Sequence, residues 1–166
     1  MHVTFRRATN HDCALAQRII DGALREYGLH VLLDSADADL TDIERSYDAR
    51  GGAFEIVERE SGEPLGVLAW RPATGADEPI LELKKLYLTP AARGRGVGGR
   101  ALQRVIDVAR SASARAIVLE TAAVLAEANR LYASFGFRPV HGSEAASFAM
   151  LSEQCDLAYR LDLAWA

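Results

Sequence analysis

An apolar run that ends in Thr-Pro and then meets four glycines within six residues constrains this chain more than any other feature. The run is Leu86-Tyr87-Leu88-Thr89-Pro90, the glycines are Gly94, Gly96, Gly98 and Gly99, and a helical pattern starts at Val97. Glycines this dense at a helix start remove the side chains that would keep a ligand off the backbone N–H groups. Those groups, with the positive end of the helix dipole, make a seat for phosphate oxygens. Arg93, Arg95 and Arg100 crowd the same spot, so the expected ligand is strongly anionic. A pyrophosphate fits that description.

Two readings of the loop compete. Gly94-Arg95-Gly96-Val97-Gly98-Gly99 satisfies G-x-G-x-x-G, and Glu120 ends a strand-like run 21 residues after Gly99, near where a ribose-binding acid would sit. A dinucleotide loop follows its strand almost at once, however, whereas Thr89 to Arg93 intervene here. Such a strand also normally opens its domain, yet residues 1–79 precede this one. The same stretch reads as Arg93-x-x-Gly96-x-Gly98, after an L-Y-L-x-P strand end and before a helix. In this it resembles the GNAT superfamily of acyl-CoA-dependent N-acyltransferases, whose R/Q-x-x-G-x-G/A loop holds the coenzyme A pyrophosphate. The resemblance implies acetyl-CoA as co-substrate, held by Arg93, Gly94, Arg95, Gly96, Val97, Gly98, Gly99 and Arg100, with Leu86, Tyr87 and Leu88 along the pantetheine.

A second stretch strengthens the resemblance. Ala128-Asn129-Arg130-Leu131-Tyr132-Ala133-Ser134-Phe135-Gly136-Phe137 is similar to the superfamily's A-x-x-L-Y-x-x-x-G-F signature. Read alone, Leu131, Phe135 and Phe137 are core residues and Gly136 is a helix stop. Tyr132 falls 33 residues after Gly99 with a strand between, and it is the pairing of the two motifs that is specific. One position departs. Many members have Asn seven residues before this Tyr, contacting the pantetheine arm, and here that position is Leu125. Asn129 is not equivalent, so the role does not transfer to it.

The remaining chain supports one domain over residues 1–166. Half of the residues are apolar and a quarter charged, and the net charge of −4 leaves no global basic face for nucleic acid. Cys13 and Cys155 have neither metal nor redox spacing, and the four histidines show no ligand pattern, so no metal is expected. There is no signal-peptide pattern and no apolar run near the ~18 residues that span a bilayer, so no membrane is expected and a reducing, cytoplasmic setting is the simplest reading. In order, a strand over Val3–Arg7 precedes a helix capped by Asn10 or Asp12 and running to about Tyr27, with Gly28 as its left-handed cap. A short helix follows from Thr41 to about Asp48. The hairpin Ala53–Glu60 and Leu65–Arg71, the strand Ile80–Leu88, the helix Val97–Ser111 and a parallel strand Ala116–Glu120 come next. A helix Ala123–Phe135, a strand Phe137–Val140 and a strand Cys155–Leu163 that closes the sheet end the chain. The fold class is α/β, a mixed, splayed central sheet of about seven strands flanked by about four helices, as in the GNAT fold.

The resemblance implies acetyl transfer from the thioester to an amine, directly, within a ternary complex. A primary amine is mostly protonated at neutral pH, since ammonium pKa values are ~8 to ~10.4, so a base must take a proton. Glu82 is the first candidate: period-two alternation puts Glu82, Lys84, Leu86 and Leu88 on one strand face, and some family members use a glutamate here. The bland alternative pairs Glu82 with Lys84 or Lys85 on a wet edge. Glu120, at the C-terminal end of the neighbouring strand, is the second candidate base, and a solvated strand-end acid is its alternative. Tyr132 is the acid that protonates the departing thiolate, as the family's motif tyrosine commonly does. The N–H groups of Leu86 and Leu88 would meet the oxyanion and the pantetheine, which requires the strand to splay or bulge. The acceptor, a small-molecule or peptide amine, would meet the first two helices, the loop 30–39 and the loop 142–153. Asp34, Asp37, Asp39 and Asp42 either favour a cationic acceptor or form a solvated loop. A homodimer is compatible with the family. The rival from another class is a non-catalytic acyl-CoA sensor, which would need the loop but neither Glu82 nor Tyr132.

Overall fold

The computed structural model describes residues 1–74, 78–142, 144 and 152–164. Its strands are β1 (Thr4–Arg7), β2 (Ala53–Glu58), β3 (Pro64–Pro72), β4 (Ile80–Leu88), β5 (Ala116–Thr121), β6 (Arg138–Val140) and β7 (Leu157–Asp162). Its helices are α1 (Cys13–Arg25), α2 (Ile43–Ser46), α3 (Val97–Ser111) and α4 (Ala126–Ser134). The seven strands form one mixed sheet in the order β1-β2-β3-β4-β5-β7-β6. The chain divides into two compact units, Met1–Arg71 with Lys85–Ala101, and Pro72–Lys84 with Leu102–Ala166.

In the first unit, β1, β2 and β3 form an antiparallel meander. α1 follows a 3₁₀ turn over Asn10–Asp12 that begins at Thr9, whose N–H the Asp12 carboxylate accepts at 3.0 Å, and Asp12, one of the two residues the pattern offered, stands at the N-cap of α1. The buried stripe of α1 is Ala16, Ile19, Ile20, Ala23 and Leu24, and Gly28 ends it at φ 74° as the spacing required. The stripe packs with Leu40, Ile43, Tyr47, Phe54 and Ile56. The second helix is shorter than the sequence pattern suggested. α2 spans one turn capped by Asp42, whose carboxylate accepts from the Arg45 N–H at 3.1 Å, and Tyr47 leaves helical geometry to bury its ring against Phe54. Burial of an aromatic ring outweighs the propensity of a few polar helix residues.

The acid-rich loop differs from both alternatives read from the sequence. Asp37 is buried, and Lys85 of β4, only 5 % exposed, donates to it. Asp39 lies 3.5 Å from the same ammonium and accepts the Tyr47 hydroxyl, while the second Asp37 oxygen accepts the Leu32 N–H at 3.0 Å. Burial works against the Lys85 charge, but Asp39 and Asp37 outweigh it and hold the ammonium above the ordinary lysine range. A buried lysine between two aspartates therefore pins the loop to β4. Of the four acids Asp34 alone is exposed, and Asp42 is half-buried at the cap of α2.

In the second unit, β4 and β5 pair in parallel, as expected, and β5 pairs with β7 antiparallel. The last strand does not close the sheet. β7 lies between β5 and β6, leaving β6 at the edge, where Pro139 lacks the N–H that an inner strand would need. α4 starts at Ala126, three residues later than its pattern, after Leu125 at an N-cap with no side-chain bond. Gly136 stops it at φ 86°, Phe137 is buried, and Leu131 and Phe135 are half-buried. Cys13 and Cys155 are half-buried thiols.

Replacing Lys85 by methionine would strand two buried carboxylates, which costs about 3–5 kcal/mol. Urea denaturation near neutral pH should show that loss; a change below ~1 kcal/mol would show that the cluster is wet. Because the folded pKa of Lys85 is raised, its contribution is complete below the unfolded value and disappears only as pH rises through the folded one. Wild type and Lys85→Met should therefore differ by the same amount across neutral pH and converge only under strongly alkaline conditions.

Candidate active site

The glycine loop after β4 lies in the first unit and is shaped by backbone conformation. After β4, Thr89 donates its N–H to Leu65 O at 2.8 Å, Pro90–Ala92 make a 3₁₀ turn, and Arg93 is extended. Gly94 and Gly96 then adopt φ 66° and 75°, left-handed values that side chains disfavour, and α3 starts at Val97. A Cβ at either glycine would meet no protein atom within 4 Å, so conformation rather than packing requires glycine there. Arg100 donates its N–H to Gly96 O at 3.2 Å. The N–H groups of Val97, Gly98 and Gly99 precede the first residue with an i−4 carbonyl in the helix, leaving an anion seat at the positive end of the dipole.

The arginines divide. Arg95 and Arg100 are exposed beside the seat, and an Arg100 guanidinium N–H donates to Met1 O. Arg93 instead forks onto Glu26 at 2.5 and 3.0 Å and donates through Nε to Leu88 O at 3.1 Å. Glu26 is the residue that ends α1, so Arg93 ties the loop to both α1 and the last residue of β4. No sequence signal pairs residues 26 and 93, which meet only in the fold.

The end of β4 is pressed by its neighbour. A Cβ at Gly66 of β3 would stand 2.5 Å from Tyr87 O and 2.6 Å from Leu88 Cδ2. Leu86, Tyr87 and Leu88 are all half-buried, and Tyr87 packs against the core of the first unit.

The candidate acid and bases lie in the second unit. The parallel ladder consists of Ile80 with Ala116, Leu81 with Ile117 and Glu82 with Val118, and it ends there although β5 continues to Thr121. Where pairing stops, Glu82, Lys84 and Glu120 meet. The Lys84 ammonium is 3.4 Å from Glu82 and 4.0 Å from Glu120, with the three side chains 13, 12 and 17 % exposed respectively. Glu120 also accepts the Ser152 N–H at 2.9 Å. The Glu82–Lys84 pair foreseen on a wet edge thus exists in a mostly buried place. Its third member, Glu120, follows from the parallel register rather than from spacing.

Tyr132 is buried beside Phe137 and Tyr159, with ring centroids 5.9 and 6.2 Å away. Tyr159 pairs with Leu119, one residue before Glu120, so this aromatic group occupies the sheet face opposite to the carboxylates. Asn129 donates to Ala122 O at 3.0 Å and braces the turn before α4, and Leu125 O accepts the Asn129 N–H. Of the loop 142–153, residues 143 and 145–151 lie outside those described. Among the described residues, no group of three or more His, Cys, Asp or Glu is placed to hold a metal ion, and no helix is long and apolar enough to cross a membrane.

A family model described as the acetyltransferase (GNAT) family matches residues 17–137. Over 137 residues the chain is 35 % identical to YjgM, named an uncharacterized N-acetyltransferase, of Escherichia coli strain K12, covering 81 % of each protein. It is 32 % identical over 130 residues to the N-acetylaspartate synthetase of Danio rerio, covering 76 % of this chain and 45 % of that protein. An acetyltransferase of the GNAT family from Staphylococcus aureus Mu50 matches with a TM-score of 0.88 at 19 % identity, covering 98 % of this chain and 100 % of that one. The yncA acetyltransferase of Salmonella typhimurium, solved with acetyl-CoA, matches with a TM-score of 0.69 at 24 % identity, over 98 % and 94 % of the two chains. These structural likenesses are likenesses of fold.

The contact at Gly66 is directly testable. Gly66→Ala must push the Tyr87–Leu88 backbone aside, an overpacking that costs about 1–3 kcal/mol. The denaturant midpoint should fall accordingly; an unchanged midpoint would show that β3 and the end of β4 are not in close contact.

Proposed function

The chain belongs to the acetyltransferase (GNAT) family, and we propose that it transfers an acetyl group from acetyl-CoA directly to the primary amine of a small molecule or peptide. Membership makes it an acyl-CoA-dependent N-acyltransferase, with acetyl-CoA supplying the activated thioester. The finer reading concerns which residues act, with residues 1–166 taken as one catalytic domain. Its main support is the seat at Gly94–Gly99, where two left-handed glycines turn the chain so that helix N–H groups are presented together. The donor set is backbone N–H and guanidinium, which is chemistry suited to a diphosphate.

In this reading the N–H groups of Val97, Gly98 and Gly99 and the side chains of Arg95 and Arg100 hold the diphosphate oxygens. Arg93 contributes by fixing the loop through Glu26 and Leu88. Leu86, Tyr87 and Leu88 present the last stretch of β4 to the pantetheine arm, with backbone N–H groups as its partners and as donors to the developing oxyanion. Glu82 or Glu120 accepts the proton that an ammonium acceptor must lose, directly or through water. The Tyr132 hydroxyl delivers a proton to the departing sulfur, a reasonable match because phenols titrate near ~10. The sequence is then binding of both substrates, proton removal, acyl transfer and release, with no acyl-enzyme.

The acceptor panel should include α-amino acids, polyamines, aminoglycoside-type amines and peptide N-termini. Aspartate belongs in it because one relative carries the name N-acetylaspartate synthetase. Asp37 and Asp39 both face the Lys85 ammonium, whose one positive charge offsets one of their two negative ones, so the field they offer a cationic acceptor is reduced.

Thioester consumption across that panel should be measured for wild type, Glu82→Gln, Glu120→Gln and Tyr132→Phe. Loss of a positioned acid or base typically costs about 10²–10⁴-fold in turnover, so Tyr132→Phe and one glutamate variant should fall in that range with donor affinity retained. Unchanged rates in all three variants would overturn the catalytic assignment. Tight coenzyme A binding with no turnover on any amine would indicate a sensor instead.

A further inference from the structure

We propose that a recess beside the anion seat takes the 3′-phosphate of coenzyme A, so that the protein selects this donor over thioesters that lack the phosphate. This deepens the proposed reading, and it rests on the placement of the diphosphate at the start of α3.

The recess follows from strand register. β1 and β2 pair antiparallel with Thr4 opposite Glu58, so the residues before Thr4 run beside those after Glu58. In the turn after β2, Arg59 donates its N–H to Glu63 O at 2.9 Å and Gly62 donates its N–H to Arg59 O at 2.8 Å. β3 then carries the chain back, and Leu65 O accepts the N–H of Thr89, just past the end of β4. The turn and the glycine loop thereby become neighbours. A recess of about 590 Å³ is lined by residues of both: Met1, His2, Arg59, Glu60, Ser61 and Arg95. The Arg100 guanidinium, from the first turn of α3, donates to Met1 O and so joins the recess wall to the seat.

The lining suits a phosphorylated sugar. Arg95 is exposed, and among the described residues no carboxylate pairs with its guanidinium. Arg59 meets Glu63 through Nε at 2.6 Å, which leaves its terminal N–H groups for another acceptor. Guanidinium groups hold phosphate through paired N–H donors, and the Ser61 hydroxyl adds a further donor. Glu60, the one acid in the lining, lies 3.1 Å from His2 Nδ1 and offers an oxygen of the kind that accepts from a ribose hydroxyl. In coenzyme A one ribose carries the diphosphate on its 5′ carbon and a single phosphate on its 3′ carbon. Sites for the two must therefore adjoin, and Arg95 borders both. The volume lies within the ~300–1,000 Å³ common for small-molecule sites, so the sugar has room to enter. Dephospho-coenzyme A would fill the seat equally well but bring no phosphate to the recess.

Calorimetric titration with coenzyme A and with dephospho-coenzyme A tests this, because the ratio of the two Kd values isolates the 3′-phosphate. Wild type should bind coenzyme A about tenfold or more tightly, the strength of a charge-assisted contact, and the ratio should shrink as salt is raised. Arg59→Gln should lower the ratio, Arg59→Lys should keep most of it, and Arg95→Gln should lower it while weakening both ligands. Glu63→Gln removes the turn partner of Arg59 but no charge from the recess, so it should leave the ratio unchanged. A wild-type ratio near one, or a ratio that Arg59→Gln moves no more than Glu63→Gln does, would overturn the inference. If neither ligand binds, the underlying placement of the diphosphate fails instead.

Discussion

Three residue pairs hold β4 to β5, and the grouping of Glu82, Lys84 and Glu120 follows from the ladder ending there. Up to Glu82 and Val118 the two strands satisfy each other's backbone groups in an ordinary parallel register. A strand end that stops pairing exposes polar backbone, which is costly unless another partner supplies the hydrogen bonds. In an acyltransferase that partner can be an extended amide arm, added as a strand would be. The same break brings Glu82, Lys84 and Glu120 together on one face of the sheet and leaves the Tyr132 aromatic group on the other.

Each unit meets this requirement with its own device. In the first, β4 alternates, and Lys85 turns inward to pair with Asp37 and Asp39 while Tyr87 joins the core. Arg93 then bonds to the carbonyl of Leu88 and to Glu26, so the chain leaves the strand in a fixed direction before the glycine turn. In the second, α3 buries Leu102, Val105, Ile106 and Ala109 and carries the chain to β5. The loop between strand and helix can thus turn on two left-handed glycines, Gly94 and Gly96, with rigidity supplied by the elements on either side.

Much of this was legible in the sequence because local rules decide it. β4 and α3 have the bounds that hydrophobic period and glycine placement indicated, and Gly28 and Gly136 end helices in left-handed conformation where the pattern breaks. The glycine loop was legible for the same reason, since density at a helix start has a direct backbone meaning. Other features depend on residues distant in sequence. The Arg93–Glu26 fork spans 67 residues, the Lys85–Asp37 bond 48 and the Lys84–Glu120 pair 36, and no periodicity links such positions. The acidic run was read from composition as solvent or substrate field, whereas tertiary burial made half of it a core contact. Insertion of β7 beside β5 likewise depends on a long-range pairing choice, with Pro139 as its only local trace.

The central claim is that backbone amides at the start of α3 hold the diphosphate of acetyl-CoA. Amide chemical shifts during titration of the ¹⁵N-labelled protein with coenzyme A test it residue by residue. The expected result is that Val97, Gly98 and Gly99 show the largest downfield displacements, as N–H groups do on binding phosphate, with Gly94–Gly96 close behind. Saturable binding that leaves these amides unmoved while others shift would contradict it.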